Sequence, residues 1–187
     1  MAVMDRFRVM FSRRRNPDGK RERGASMVEF AIVSPLFFFV VFAAIESGLM
    51  FRTNIVLEDM ARSGGRAGSI ARNDVDADEQ IIRRISDADS ALPGDIKKVI
   101  IFEAASLDQE VPANCLLGAP TAQCSTYDAN YADILTTHIP SPGWVAANRD
   151  EGDFIGVYVE YDYNFVTGFL GDITLTSTSV QVVELNP

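Results

Sequence analysis

A run of 22 residues from Phe30 to Phe51 is almost entirely apolar, and it constrains the fold more than any other feature of the chain. As an α-helix, the run would be about 33 Å long at ~1.5 Å per residue, which matches the hydrocarbon core of a bilayer. A buried helix of a soluble protein is the alternative, but the part from Phe37 to Ala44 is apolar on every side. The run therefore predicts one transmembrane helix.

The charges on the two sides of this run have opposite signs. The first 24 residues contain eight basic and three acidic side chains, a net charge of +5, whereas the whole chain carries −9 and the remainder therefore −14. A basic head before an apolar run is typical of a membrane protein with a cytoplasmic N-terminus and an extracytoplasmic C-terminus. A nucleic-acid-binding arm is the alternative interpretation, and the adjacent apolar run argues against it, so we expect no nucleic-acid partner.

Two carboxylates interrupt this pattern. Glu29 stands at the inner edge of the apolar run, and Glu46 lies near its outer end, where it can reach the lipid headgroups. An acid at a membrane edge is unfavourable enough to require an explanation. Cleavage as a secretory signal, with Ala43-Ala44 as the small residues, is disfavoured because the run is too long for the apolar core of such a signal.

The residues around Glu29 form a recognisable motif. The order is Gly24, four residues, Glu29 and the aromatic Phe30, and it resembles the class III leader of type IV pilins and pseudopilins. More narrowly, three segments resemble the TadE-like family, pseudopilins of the tight-adherence (Flp pilus) system. They read G-A-S-M-V-E-F-A-I-V-S-P-L, I-E-S-G-L-M-F and L-E-D-M-A-R-S-G-G-R-A, and together they cover about residues 21–71.

The resemblance implies cleavage by a prepilin peptidase between Gly24 and Ala25. Glycine lets an extended chain approach the protease backbone closely, and the cut frees an α-amino group with a pKa of about 8. Glu29, followed by Phe30 in the assembly motif, could pair with that cation on a neighbouring subunit. The alternative is that Glu29 is simply an acid favoured at the start of a helix.

The part beyond the membrane reads as helices followed by strands. The helix is expected to continue from Arg52 to Ala71, where Gly64, Gly65 and Gly68 indicate either a break or a close approach of another element. A second helix is predicted to run to about Ile85, with Asn73 or Asp74 as its N-cap and Pro93-Gly94 as its stop.

Strand signals follow this second helix. They cover residues 98–102, 156–166 and 174–185, and the glycines at 168 and 171 turn the last pair as a hairpin. The prediction is a pilin-like α+β fold with a long N-terminal helix (transmembrane plus stalk), a small antiparallel sheet and a disulfide-stapled loop. The expected divisions are a leader (1–24), a transmembrane helix (25–51), a helical stalk (52–92) and a β-rich domain (93–187).

A long loop from about Leu107 to Asp153 contains both cysteines, Trp144 and four prolines, Pro112, Pro120, Pro140 and Pro142. Loops of this length are usually functional or stapled. Cys115 and Cys124 enclose eight residues, and in an oxidising extracytoplasmic space they are expected to form a disulfide.

The sequence offers little for catalysis. The single histidine, His138, is expected at the surface, and we identify no nucleophile motif, phosphate loop or clustered metal ligands. Asp150, Glu151 and Asp153 are interpreted as a solvated acidic loop rather than a calcium site. We therefore expect a protein that is not an enzyme and has no catalytic residues, metal or cofactor.

Two functions remain open from the sequence. The first is a minor pseudopilin-like component of Flp pilus assembly or secretion, processed by a prepilin peptidase. Its partners would be Flp-type pilin, other pseudopilins, the inner-membrane assembly platform and membrane lipid. The second is an uncleaved, membrane-anchored binding or sensor module that uses the loop from Cys115 to Trp144. Both place the chain in the inner membrane as a single-pass protein with a periplasmic C-terminal domain, or at the base of a surface pilus after processing.

Overall fold

The computed structural model describes residues 19–89, 92–117, 123–128, 144–168 and 171–184. The first 18 residues of the predicted leader, His138 and the prolines at 120, 140 and 142 lie outside these ranges. Among the described residues, the chain divides into two compact units after Ala43. The first unit contains helix residues 19–43, and the second contains everything from Ala44 onward.

The described elements are three α-helices, a short 3-10 helix and four strands. The α-helices are α1 (Gly19–Ala71), α2 (Ala77–Asp89) and α3 (Ala113–Leu116), and the 3-10 helix is Ala146–Asn148. The strands are β1 (Gly94–Ala104), β2 (Cys124–Asp128), β3 (Phe154–Asn164) and β4 (Asp172–Val182). Helices followed by an antiparallel sheet confirm the predicted α+β fold, and β2 is a strand within the segment that was predicted to be a long loop.

Helix α1 continues through Pro35, Gly64, Gly65 and Gly68 without a break. It ends where Arg72 adopts a left-handed conformation, with φ of 55°, and donates its N–H to the Gly68 carbonyl at 3.0 Å. This bond satisfies one of the carbonyls that a helix end leaves without a partner. The predicted N-cap of α2 at Asn73 or Asp74 was wrong, because residues 72–76 form the turn between the helices and α2 begins at Ala77.

The four strands form one antiparallel sheet in the order β2-β1-β3-β4. β3 and β4 form the predicted hairpin, in which Phe154 pairs with Val182 and Asn164 with Asp172. Gly168 and Gly171 have φ of 67° and 65°, left-handed values that glycine adopts without steric strain. The sheet thus has β2 and β4 at its edges.

Both faces of the sheet are used. Leu57 and Met60 of α1 and Ile81 and Ile85 of α2 pack against one face in the larger core cluster. A smaller cluster on the other face contains Phe102, Tyr158 and the two cysteines. The alternation along β1 explains the division, because successive side chains of a strand point to opposite faces.

Gly64 and Gly68 of α1 mark close packing rather than a helix break. A Cβ at Gly68 would lie 2.5 Å from Cδ1 of Ile155 and 2.7 Å from Cδ1 of Ile81. At Gly64 it would meet Ile85 at 3.0 Å. These positions are glycine because α2 and β3 approach the helix backbone at distances that leave no room for a side chain.

Gly156 of β3 is covered by an aromatic ring and gives a first testable prediction. It lies opposite Phe102 of β1, and a Cβ there would be 2.2–2.5 Å from three atoms of the Phe102 ring. We expect Gly156→Ala to lower the free energy of unfolding by about 1–3 kcal/mol, because the buried ring has to leave its position. Thermal unfolding of the full chain in detergent measures this loss.

The matched control for this substitution adds Phe102→Leu, which removes the ring that the new methyl group meets. The double variant should therefore lose less stability than the sum of the two single variants, since the two changes share one contact. Strict additivity would show that the ring does not confine residue 156.

Candidate functional site: the exposed apolar helix and its supports

The predicted cleavage bond lies in regular helix. Gly24 and Ala25 are both exposed residues of α1, and a side chain at Gly24 would meet nothing within 4 Å. A protease needs its substrate extended, so cleavage at this bond requires the first turns of α1 to unwind. Glycine favours that unwinding, because it is less stable in a helix than alanine by roughly 0.8–1 kcal/mol.

The assembly motif lies one turn further along the same helix. Glu29 is exposed, and within the described residues its carboxylate makes no ion pair. Phe30 is 70% exposed. The chain therefore presents an acid and an aromatic ring at adjacent helix positions. Neither side chain has an intramolecular partner among the residues described here.

The helix that carries this motif is long and apolar enough to cross a membrane, and its most apolar window is not buried anywhere within the protein. Most of the large side chains from Met27 to Phe42 are exposed. Burying such a surface in lipid is favourable, whereas leaving it in water is not. The helix is thus suited to single-pass membrane anchoring.

Glu46 has a different role from the one that the sequence suggested. Its side chain is 2% exposed, so it faces protein rather than headgroups. The carboxylate accepts hydrogen bonds from the backbone N–H groups of Thr167 at 2.5 Å and Val166 at 3.4 Å. Glu46 thereby fastens the turn between β3 and β4 to helix α1.

The predicted disulfide is confirmed. Cys115 of α3 and Cys124 of β2 are bonded, with Cα atoms 6.1 Å apart, and both are buried in the smaller core cluster. Cys124 also pairs with Phe102 across β1 and β2. The bond therefore fixes α3 and the edge strand β2 onto the sheet.

A buried polar network holds the end of the long loop. The Asp78 carboxylate at the start of α2 accepts a hydrogen bond from Tyr127 Oη at 2.6 Å and another from Nη2 of Arg149. Arg149 is 2% exposed, and its guanidinium carbon lies 4.8 Å from the centre of the Trp144 ring. Burial and the neighbouring Asp78 charge raise the pKa of Tyr127, so its hydroxyl stays protonated and acts as the donor.

This network places Trp144 in the core, with 3% of its surface exposed. The sensor interpretation requires the loop from Cys115 to Trp144 to face a ligand, and the buried Trp144 ring does not.

The acidic residues between Asp150 and Asp153 make contacts within the protein. Arg72 forms an ion pair with Glu151, and Asp153 accepts a hydrogen bond from the backbone of Asp150 at 2.8 Å. The acidic residues of this loop thus serve local structure.

Sequence reasoning did not find Asp78, Tyr127 or Arg149. They lie 22 to 71 residues apart in the chain, and nothing in their local spacing distinguishes them from surface residues. The one available signal was Trp144 close to Arg149, a pair that is typical of cation–π contacts.

The comparisons with known proteins bear on the N-terminal part of the chain. Residues 24–66 match the family model described as TadE-like protein. No curated protein and no solved structure matched the chain. The matched segment begins at Gly24 and includes Glu29, Phe30 and the apolar helix, and a segment of this kind points to pilus-related systems of the Tad/Flp type. The resemblance to the TadE-like family is thus confirmed over residues 24–66.

Proposed function

We propose that this protein is a minor pseudopilin-like structural subunit that takes part in Flp pilus assembly or secretion, and that it is not an enzyme. The observation that carries the proposal is Glu29, an exposed carboxylate without an ion-pair partner among the described residues, at the start of an exposed apolar helix. The TadE-like match of the same segment supports it.

A cation from a neighbouring subunit would stabilise this carboxylate. In lipid, an unpaired charge is strongly disfavoured, and a counter-ion offsets much of that penalty. Cleavage before Ala25 would supply such a cation, because the new α-amino group has a pKa of about 8 and is mostly protonated at neutral pH. On a neighbouring subunit, that group would pair with Glu29 and align the two helices.

The remaining parts of the proposal follow from this role. Prepilin peptidase would cut the chain, and α1 would pack laterally against Flp-type pilin and other pseudopilins at the inner-membrane assembly platform. The leader would face the cytoplasm, and the α+β domain would lie in the periplasm or at the base of the pilus. Glu46, the disulfide and the Asp78 network would keep that domain rigid as subunits are added.

The test is the N-terminus of the mature protein. In cells that contain the prepilin peptidase, we expect intact mass and N-terminal sequencing of the membrane-extracted chain to show a start at Ala25, and in cells without the enzyme a full-length chain. Gly24→Leu should abolish the cut in the cells that contain the peptidase, because its side chain prevents close approach to the protease backbone.

Gly48→Leu is the matched control, since Gly48 also lies in α1 and a Cβ there meets nothing within 4 Å. This variant should be processed like the original chain. A leader that stays intact in peptidase-containing cells would instead favour the uncleaved anchored module.

A further inference from the structure

The turn between β3 and β4 has its backbone donors paired within the protein. The N–H groups of Val166 and Thr167 donate to the Glu46 carboxylate at 3.4 Å and 2.5 Å. The N–H group of Gly168 donates to the Phe165 carbonyl at 3.1 Å. These three successive donors need no water, so the turn can enter a low-dielectric environment at a lower cost than a turn with free donors.

The side chains of this turn are also suited to an apolar environment. None of residues 165–171 is charged in the sequence. Val166 is 68% exposed, and Ile45, which precedes Glu46 on α1, is 53% exposed. We call residues 165–168 the apolar turn. The exposed side chains of the apolar turn and of α1 beside it are more stable when they leave water.

Glu46 fixes the depth of the apolar turn in a membrane. Its position is five residues before Phe51, the end of the apolar run, which corresponds to about 7–8 Å along the helix axis. With the run placed across a bilayer, Glu46 lies at the boundary between the hydrocarbon core and the headgroups. Because the apolar turn binds this carboxylate directly, the turn lies at the same depth.

We propose that the apolar turn is a second membrane contact, which inserts Val166 among the lipids of the leaflet next to the α+β domain. Glu46 holds the turn at that depth, and the turn supplies the hydrogen bonds that stabilise a carboxylate away from water. Asp172, an exposed acid at the start of β4, limits the insertion to the turn itself. With two membrane contacts instead of one, the domain cannot rotate freely above the bilayer.

Lipid is the partner, rather than a second protein chain, because the turn shares its depth with the end of the apolar run. The contact is apolar, and the chain carries a net charge of −14 beyond Gly24, so anionic headgroups should not strengthen it.

The inference rests on the anchoring of α1 in a membrane, which the proposed function shares, and not on cleavage after Gly24. Val166→Asp should remove the insertion and still be processed to a start at Ala25 in cells that contain the peptidase. Insertion and processing are measured separately, so either can fail without the other.

The test places a fluorescent label on the apolar turn of the full-length chain in lipid vesicles. Val166→Cys provides a reactive thiol, whereas Cys115 and Cys124 are bonded to each other. Lipids that carry a nitroxide near the headgroup should quench this label roughly twofold, because interfacial segments lie about 5–10 Å deep in the boundary. Vesicles of phosphatidylcholine, with or without phosphatidylglycerol, should give the same quenching.

Thr178→Cys is the matched control, because Thr178 is an exposed residue of β4 ten residues beyond Gly168. The lipid nitroxides should not quench its label. Glu46→Leu removes both acceptor oxygens and makes α1 more apolar, so the chain stays anchored while the quenching at position 166 falls to the level at 178. An unchanged near-ultraviolet signal of Trp144 verifies that this variant is folded.

Equal quenching at positions 166 and 178 in the otherwise unmodified chain would overturn the proposal. A label at 166 that is shielded from a water-soluble quencher but not quenched by the lipid nitroxides would also overturn it, since a protein neighbour would then cover the apolar turn.

Discussion

Asp78→Ala is expected to lower the free energy of unfolding by about 3–5 kcal/mol, which is the usual result of removing one partner of a buried ion pair. Arg149 would keep its charge at 2% exposure while losing the carboxylate that accepts from Nη2. Its Nε and Nη1 atoms are already buried without a hydrogen-bond partner among the described residues, so the guanidinium has little else to bind. Tyr127 would lose its acceptor in the same step.

Thermal unfolding of the full chain in detergent should show this as a melting temperature lower by roughly 10 °C, at about 2–4 °C per kcal/mol for a protein of this size. The near-ultraviolet signal of the single tryptophan gives an independent view, because Trp144 stacks on Arg149. The melting temperature and the near-ultraviolet signal should change together, because both depend on the contacts that hold the end of the long loop.

Two further variants separate the buried charge from the loss of a side chain. The double variant Asp78→Ala with Arg149→Met removes both charges, so it should be more stable than Asp78→Ala alone. Arg83→Ala breaks an exposed ion pair with Glu79 and should change stability by less than about 1 kcal/mol. If Asp78→Ala and Arg83→Ala lowered the free energy of unfolding equally, the buried network would contribute no more to stability than an exposed ion pair.

The sequence predicted the parts of this protein that depend on neighbours in the chain. The apolar helix, the hairpin with its turn glycines and the disulfide across eight residues are all local patterns. Each follows from periodicity, from turn chemistry or from compartment, and none needs knowledge of tertiary contacts.

What the sequence could not predict depends on tertiary contacts. Strand β2 is five residues long and has no clear alternation, so it becomes recognisable only through its pairing with β1. The ambiguity at Gly64 and Gly68 was resolved by Ile85 and Ile155, side chains that no local pattern places against them. Glu46 appeared to be a membrane-edge acid because its partners are 120 and 121 residues away.

The disulfide provides the second large expected effect. Replacing Cys115 and Cys124 together with alanine should lower the free energy of unfolding by roughly 2–3 kcal/mol, the chain-entropy value for a closed loop of about ten residues. Because both cysteines lie in a core cluster with Phe102 and Tyr158, the small loss of packed volume adds to this effect.

The oxidation state of Cys115 and Cys124 also shows which compartment the C-terminal domain occupies. If the C-terminal part lies in the periplasm, the cysteines of the exported chain should resist a thiol-reactive polymer until a reductant is added, as read from gel mobility after denaturation. Removing the apolar run from Phe30 to Phe42 should keep the chain in the reducing cytoplasm and leave both thiols reactive. Reactive thiols in the unmodified chain would place the domain in the cytoplasm, and with it the Asp78 network and any surface offered to a pilus.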